Sequence, residues 1–150
     1  MSDPAKILII DDEEGIRKSL RNLLEDEGYT VDTAEKGQEA IEKSKEKFYN
    51  LALIDIRLPD IDGTKLLKTI KDTTPRMIKM MITGYPSLDN AVQAVNEGAD
   101  AYIMKPLDPP SLLQKIEEQL KKQKEEQEYS QDKVADFIES RVREIKKEKE

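Results

Sequence analysis

Cysteine, histidine and tryptophan are all absent from this 150-residue chain. Without cysteine there is no disulfide, so nothing points to an oxidising compartment. The lack of histidine removes the most common general base. With cysteine missing too, the soft and borderline ligands of zinc sites are gone. Any metal held here must be bound by oxygen, which favours Mg²⁺, Ca²⁺ or Mn²⁺. No apolar run approaches the roughly 20 residues needed to span a bilayer, and Met1-Ser2-Asp3-Pro4 lacks the basic and apolar regions of a signal peptide. The expectation is therefore a cytoplasmic location without membrane contact. A formal net charge of −7 argues against direct nucleic-acid binding.

What is present is an alternating pattern. Strand-like runs lie at about 6–10, 29–34, 51–55, 77–82 and 101–104. Helix-like stretches lie at about 14–27, 38–48, 64–72 and 88–97, and a fifth helix begins near 110. Ile16, Leu20, Leu23 and Leu24 recur at helical spacing, and Gly28 follows where a helix should end. Gly98 closes the fourth helix in the same way, and Gly84 reads as a turn residue. Leu51-Ala52-Leu53-Ile54 is continuously apolar, as in a parallel strand covered on both faces. Five β-α units of this length predict an α/β fold, a five-stranded doubly wound parallel sheet whose ligands bind at the carboxyl ends of the strands. Met77, Met80, Met81 and Met104 read as core packing.

Polar residues stand at four of those strand ends: Asp11-Asp12-Glu13, Asp55, Thr83-Gly84 and Lys105-Pro106. Brought to one sheet edge, three carboxylates repel one another and are relieved by protonation or by a cation. Oxygen-only donors suit Mg²⁺, with Mn²⁺ the nearest substitute. The glycine-rich signature of a direct phosphate cradle is missing after the first strand, so a phosphate must arrive with its cation. Thr83 can donate a hydrogen bond to a phosphoryl oxygen and Lys105 can pair with it. Asp55 ends the most apolar strand and is the candidate nucleophile for an aspartyl phosphate.

Ile9-Ile10-Asp11-Asp12-Glu13, Leu53 to Gly63, Met81-Ile82-Thr83-Gly84-Tyr85 and Gly98 to Pro106 carry a resemblance. Over about residues 5–120 the chain resembles the receiver domain of two-component response regulators. These are chemotaxis-type and nitrogen-regulatory-type receivers, with a flavodoxin-like fold. The resemblance implies that Asp55 accepts a phosphoryl group from a sensor histidine kinase in a phosphorelay. It implies that Asp11, Asp12, Asp55 and the backbone carbonyl of Arg57 hold Mg²⁺, Asp11 through water. It gives Thr83 and Lys105 contacts to the phosphoryl oxygens, Lys105-Pro106 a cis peptide, and Thr83 and Tyr102 the switch. The surface that changes would comprise the helix at 88–97, the strand at 101–104 and the helix from 110. Arg57 and Tyr85 take the positions that tune the lifetime of the phosphoryl group. The activity is that of a signalling domain catalysing only its own phosphorylation and dephosphorylation.

Blander readings stand beside these. Asp11 and Asp12 could simply favour the start of the first helix. Read as a calcium loop, Asp60-Ile61-Asp62-Gly63 would need Asp at Leu58 and Glu at Thr69, so Asp62 is read as a helix cap. The alternatives in function are a degenerate receiver that is never phosphorylated and a Mg²⁺-dependent phosphohydrolase. The latter lacks an evident acid or base beside Asp55. Composition changes near residue 121, which divides the chain into a receiver at 1–120 and a charged helical tail or linker at 121–150, a C-terminal helical extension of the fold. That tail is open to extending the fifth helix and associating with a partner, folding back on the receiver, leading to an output domain, or staying largely disordered. Val134, Ile138, Val142 and Ile145 give that tail one apolar face. A homodimer through the switch surface or through the C-terminal helix is open at this point.

Overall fold

The computed structural model describes residues 3–70, 76–84 and 87–149. Its elements alternate: β1 (Lys6–Ile10), α1 (Glu14–Asp26), β2 (Thr30–Ala34), α2 (Gly37–Glu46), β3 (Leu51–Asp55), α3 (Gly63–Thr69), β4 (Ile78–Thr83), α4 (Leu88–Asn96), β5 (Ala101–Met104) and α5 (Pro109–Lys149). The strands form one sheet in the order β2-β1-β3-β4-β5, and every pairing is parallel. The doubly wound sheet predicted from the alternation is the fold.

Side-chain alternation along each strand divides the core into two layers. Ile7, Ile9, Leu51, Leu53, Met80 and Ile82 pack with Leu20 and Leu24 of α1 and Leu112 and Ile116 of α5. Leu8, Ile10, Ala52, Ile54 and Met81 face the other way, onto α2, α3 and α4. All five residues of β3 are buried, which is why that run carries no polar alternation. Each fully buried Leu or Ile contributes about 2 kcal/mol.

Helix ends follow local chemistry. At the end of α1, Tyr29 N–H donates to Leu24 O and Gly28 N–H to Glu25 O, with Gly28 at φ 93°. The pair of bonds repeats after α4, from Ala99 to Ala94 and from Gly98 to Val95, with Gly98 at φ 97°. Both are Schellman closures, in which glycine takes the left-handed conformation without a Cβ clash. Asp62 caps α3 by accepting from Thr64 N–H at 2.8 Å. α2 and α3 are shorter than their sequence pattern, because Lys47 and Ile70 have extended backbone.

One feature departs from the sequence reading. Met104 is 59% exposed and so is not core packing, whereas Met77, Met80 and Met81 are fully buried. Met104 is the last residue of an edge strand, where only β4 offers a neighbour. The expected C-terminal helical extension is present: α5 runs through the change in composition near 121 as a single helix of 41 residues. Gln123 is buried, and its side-chain amide donates to Asn50 O at 2.9 Å and Arg76 O at 2.7 Å. Contact between α5 and the body thus continues beyond 120. No helix among the described residues is long and apolar enough to cross a membrane.

Candidate functional site

Topology alone brings the acids together. The chain steps from β1 outward to β2, then returns to β3 on the other side of β1, so β1 and β3 flank the switch point of the sheet. Crevices in such sheets open there, outside the carboxyl ends of the strands. Ile10 pairs in register with Ile54. The next residues, Asp11 and Asp55, are therefore neighbours. With Asp12 they place three carboxylate oxygens within 4.8 Å of one another. Asp11 and Asp55 are buried and Asp12 is exposed, so the cluster is open on one side.

Lys105 reaches the same point from β5. Thr83 pairs with Met104, and Lys105 N–H donates to Thr83 O at 2.8 Å. The Lys105–Pro106 peptide is cis. The ammonium lies 3.4 Å from Asp11 Oδ2 and 3.3 Å from Asp55 Oδ2, bridging the two carboxylates. Thr83, at the end of β4, is buried. Tyr102 is half-buried against the α2–α4 layer, and its hydroxyl is buried without a hydrogen-bond partner among the described residues. Arg57 is exposed, and its N–H donates to Asp55 Oδ1 at 3.0 Å. Tyr85 lies outside the described residues.

The electrostatics reflect one positive charge set among three negative ones. Burial pushes the Asp11 carboxyl up, the Glu13 N–H at 2.9 Å pulls it down, Asp55 pushes it up and Lys105 pulls it down. The balance leaves it raised to about 6. Burial pulls the Lys105 ammonium down, but Asp11 and Asp55 outweigh it and the net shift is upward. The bond from Glu13, the residue preceding α1, shows that Asp11 also supports the helix start, as the blander reading had it. That role uses one carboxylate oxygen and leaves the other facing Lys105.

Three further residues shape the site in roles not read from the sequence, although Asp60 and Gly63 lie in the Leu53–Gly63 stretch that carries the resemblance. A Cβ on Gly63 would clash with Asp55 O and sit 2.8 Å from Ile56 Cα, both backbone atoms. Only glycine lets α3 start this close to the acid. Asp60 accepts from Gly37 N–H and Gln38 N–H, both at 2.9 Å, and so caps α2 from across the molecule. These bonds hold its carboxyl below the usual range. Gly37 is crowded less severely, since a Cβ there would meet Ile61 Cγ2, a side-chain atom that can shift. Asp-Gly before an apolar run was the one available clue, and it suggested only a cap.

The model of the response regulator receiver domain matches residues 7–117. The chain belongs to the response regulator receiver family. This receiver is 37% identical over 121 residues to the transcriptional regulatory protein ResD of Bacillus subtilis, covering 81% of this chain and 50% of that one. It spans about half the length of ResD and about a quarter of the ZraR regulators it also matches. Among solved structures, a CheY-like receiver domain protein of Methanospirillum hungatei JF-1 is 49% identical with a TM-score of 0.79, covering 82% of this chain and 98% of that one. A response regulator of Burkholderia pseudomallei, solved with a phosphorylated aspartic acid, a calcium ion and citrate, is 34% identical with a TM-score of 0.69, covering 73% of this chain and 64% of that one.

Proposed function

We propose that this receiver is a phosphorylation-dependent switch of a two-component system, with Asp55 as phosphoacceptor. The observation that carries the reading is the acid cluster bridged by one lysine at the switch point of the sheet. An Asp55 carboxylate oxygen attacks phosphorus, the P–N bond of a kinase phosphohistidine breaks, and the departing imidazole takes up a proton. These 150 residues contain no histidine, so the donor histidine lies outside them. Lys105 and Thr83 receive the phosphoryl oxygens.

The donor set fits a hard divalent cation. Asp11, Asp12, Asp55 and the Arg57 carbonyl would hold Mg²⁺, with Mn²⁺ as a substitute. Three clustered carboxylates, one raised to about 6, are better satisfied by a cation than by Lys105 alone. The ion supplies positive charge against the charge that builds up on the transferring group. The calcium ion and phosphorylated aspartate of the Burkholderia relative support the same assignment.

In the switch, charge on Asp55 draws in Thr83 and Tyr102, and the α4–β5–α5 face changes. Val92, Val95 and Met104 expose apolar surface on α4 and β5, as a partner-reading face would. A groove of about 630 Å³ beside Lys105, lined by Ile16, Leu20, Leu23, Leu107 and Leu112 among others, offers the phosphodonor an apolar docking surface. The receiver unit comprises residues 1–120 together with the stretch of α5 through Gln123, and the remainder forms the tail. A cytoplasmic site of action follows from the kinase partner. The domain catalyses only its own phosphorylation and dephosphorylation.

The test is incubation with Mg²⁺ and a small acyl phosphate, followed by mass measurement. One added phosphoryl group, lost in Asp55→Asn and without Mg²⁺, is expected. A chain that takes up no phosphoryl group from any donor is a degenerate receiver, and the proposal fails.

A further inference from the structure

Past Gln123, α5 carries an apolar stripe that nothing among the described residues covers. Val134, Phe137, Ile138, Val142 and Ile145 are 58%, 66%, 56%, 45% and 45% exposed. Val134, Ile138, Val142 and Ile145 fall within an arc of about 80° on the helix. The same arc contains Ile116 and Leu120, which pack on the sheet. The stripe is thus the core-facing side of α5 continued beyond the core. It does not turn back onto the receiver, because α5 is one helix with neither glycine nor proline after Pro110. The buried Gln123 fixes its direction of exit.

We propose that this stripe pairs with the same stripe of a second copy, antiparallel, in a two-fold contact centred near Ser140. In that register Ile138 lies opposite Val142 of the second copy and Val134 opposite Ile145, so four apolar residues match their own reversed order. Charge selects the direction. Residues 131–139 carry Asp132, Asp136 and Glu139 against Lys133 alone. Residues 141–149 carry Arg141, Arg143, Lys146, Lys147 and Lys149 against Glu144 and Glu148. Antiparallel pairing sets the acidic segment against the basic one, whereas parallel pairing sets each against its like. The existing in-helix pairs, Arg141 with Glu144 and Arg143 with Glu139, are exposed and weak, so they do not oppose it. The contact is smaller than the roughly 20 to 30 residues a side of a standard interface, so the dimer is reversible. It rests on the tail alone and is independent of the phosphoacceptor reading.

The chain has no cysteine, so an introduced thiol is unique. In the proposed register, Val134→Cys in one copy meets Ile145→Cys in the other, while two Val134→Cys chains hold their thiols about 18 Å apart. Oxidising the mixed variants is expected to give a disulfide between them that neither forms with itself. A wild-type chain that dimerises reversibly, with the dimer lost in Ile138→Asp, is expected by sedimentation. Phosphoryl uptake at Asp55 by that same variant shows that the receiver still folds and tests the switch separately. A chain monomeric up to near-millimolar concentration overturns the proposal, as does self-linkage of Val134→Cys, which would mean parallel pairing.

Discussion

Asp11→Asn provides a direct measure of how much charge this site stores. The native carboxyl titrates at about 6 against an ordinary 3.8, a gap worth about 3 kcal/mol. The figure already includes the opposing pull of Lys105. Because the folded value is raised, the native state binds more protons than the unfolded state between those two values. Stability therefore falls as pH rises through this window. Below about pH 4 Asp11 is protonated in both states and the substitution changes little. Above about pH 7 the variant escapes the cost and should be more stable by up to about 3 kcal/mol, or on the order of 8 °C in Tm. Asparagine retains an oxygen for the Glu13 N–H, so the helix start is preserved. The assay is urea unfolding of both proteins in EDTA from about pH 4 to about pH 7.5, repeated with excess Mg²⁺. Mg²⁺ should stabilise the wild type and do far less for the variant. No advantage for Asp11→Asn at high pH, or an equal advantage at about pH 4, would refute the reasoning.

Other perturbations probe the frame around the acids. Gly63→Ala forces a Cβ onto the Asp55 backbone carbonyl. It should cost on the order of 3 kcal/mol and sharply slow phosphorylation by acyl phosphate, as thermal melts and mass measurement would show. Asp60→Ala uncaps α2 and should cost about 1 kcal/mol by urea unfolding. Gln123→Ala removes one of the two donors to Asn50 O, which keeps Ile78 N–H, and removes the Gln123 amide from Arg76 O. It should cost about 2 kcal/mol and raise hydrogen exchange around residue 123 while leaving phosphorylation intact. Replacing Tyr85 with alanine should speed loss of the phosphoryl group, measured by following the decay of labelled protein, since a bulky residue there is proposed to hinder water.

Much of this receiver could be read without coordinates, for identifiable reasons. Oxygen-only chemistry follows from the absence of cysteine and histidine. The parallel sheet follows from the unbroken apolar run of β3 and the regular β-α alternation, both local consequences of burial on two faces. Gly28 and Gly98 announce their helix ends because only glycine is at ease at positive φ.

Other features depended on partners distant in sequence. Register put Asp11 beside Asp55, and nothing within either segment encodes it. The need for glycine at 63 arises from backbone supplied by β3, and the role of Asp60 from amides of α2. Met104 looks like any core methionine until its strand proves to be the edge. The composition change at 121 marked a helical extension but not how far its contact with the body runs. Helix continuity is governed by the backbone and Gln123 finds its acceptors across the fold, so α5 passes through unbroken. The sequence by itself determined which chemistry the chain carries and the layered fold that holds it, because both depend on residue type and local periodicity. Tertiary structure alone decided how closely the charges meet and which way the tail leaves, because those are set by contacts between segments tens of residues apart.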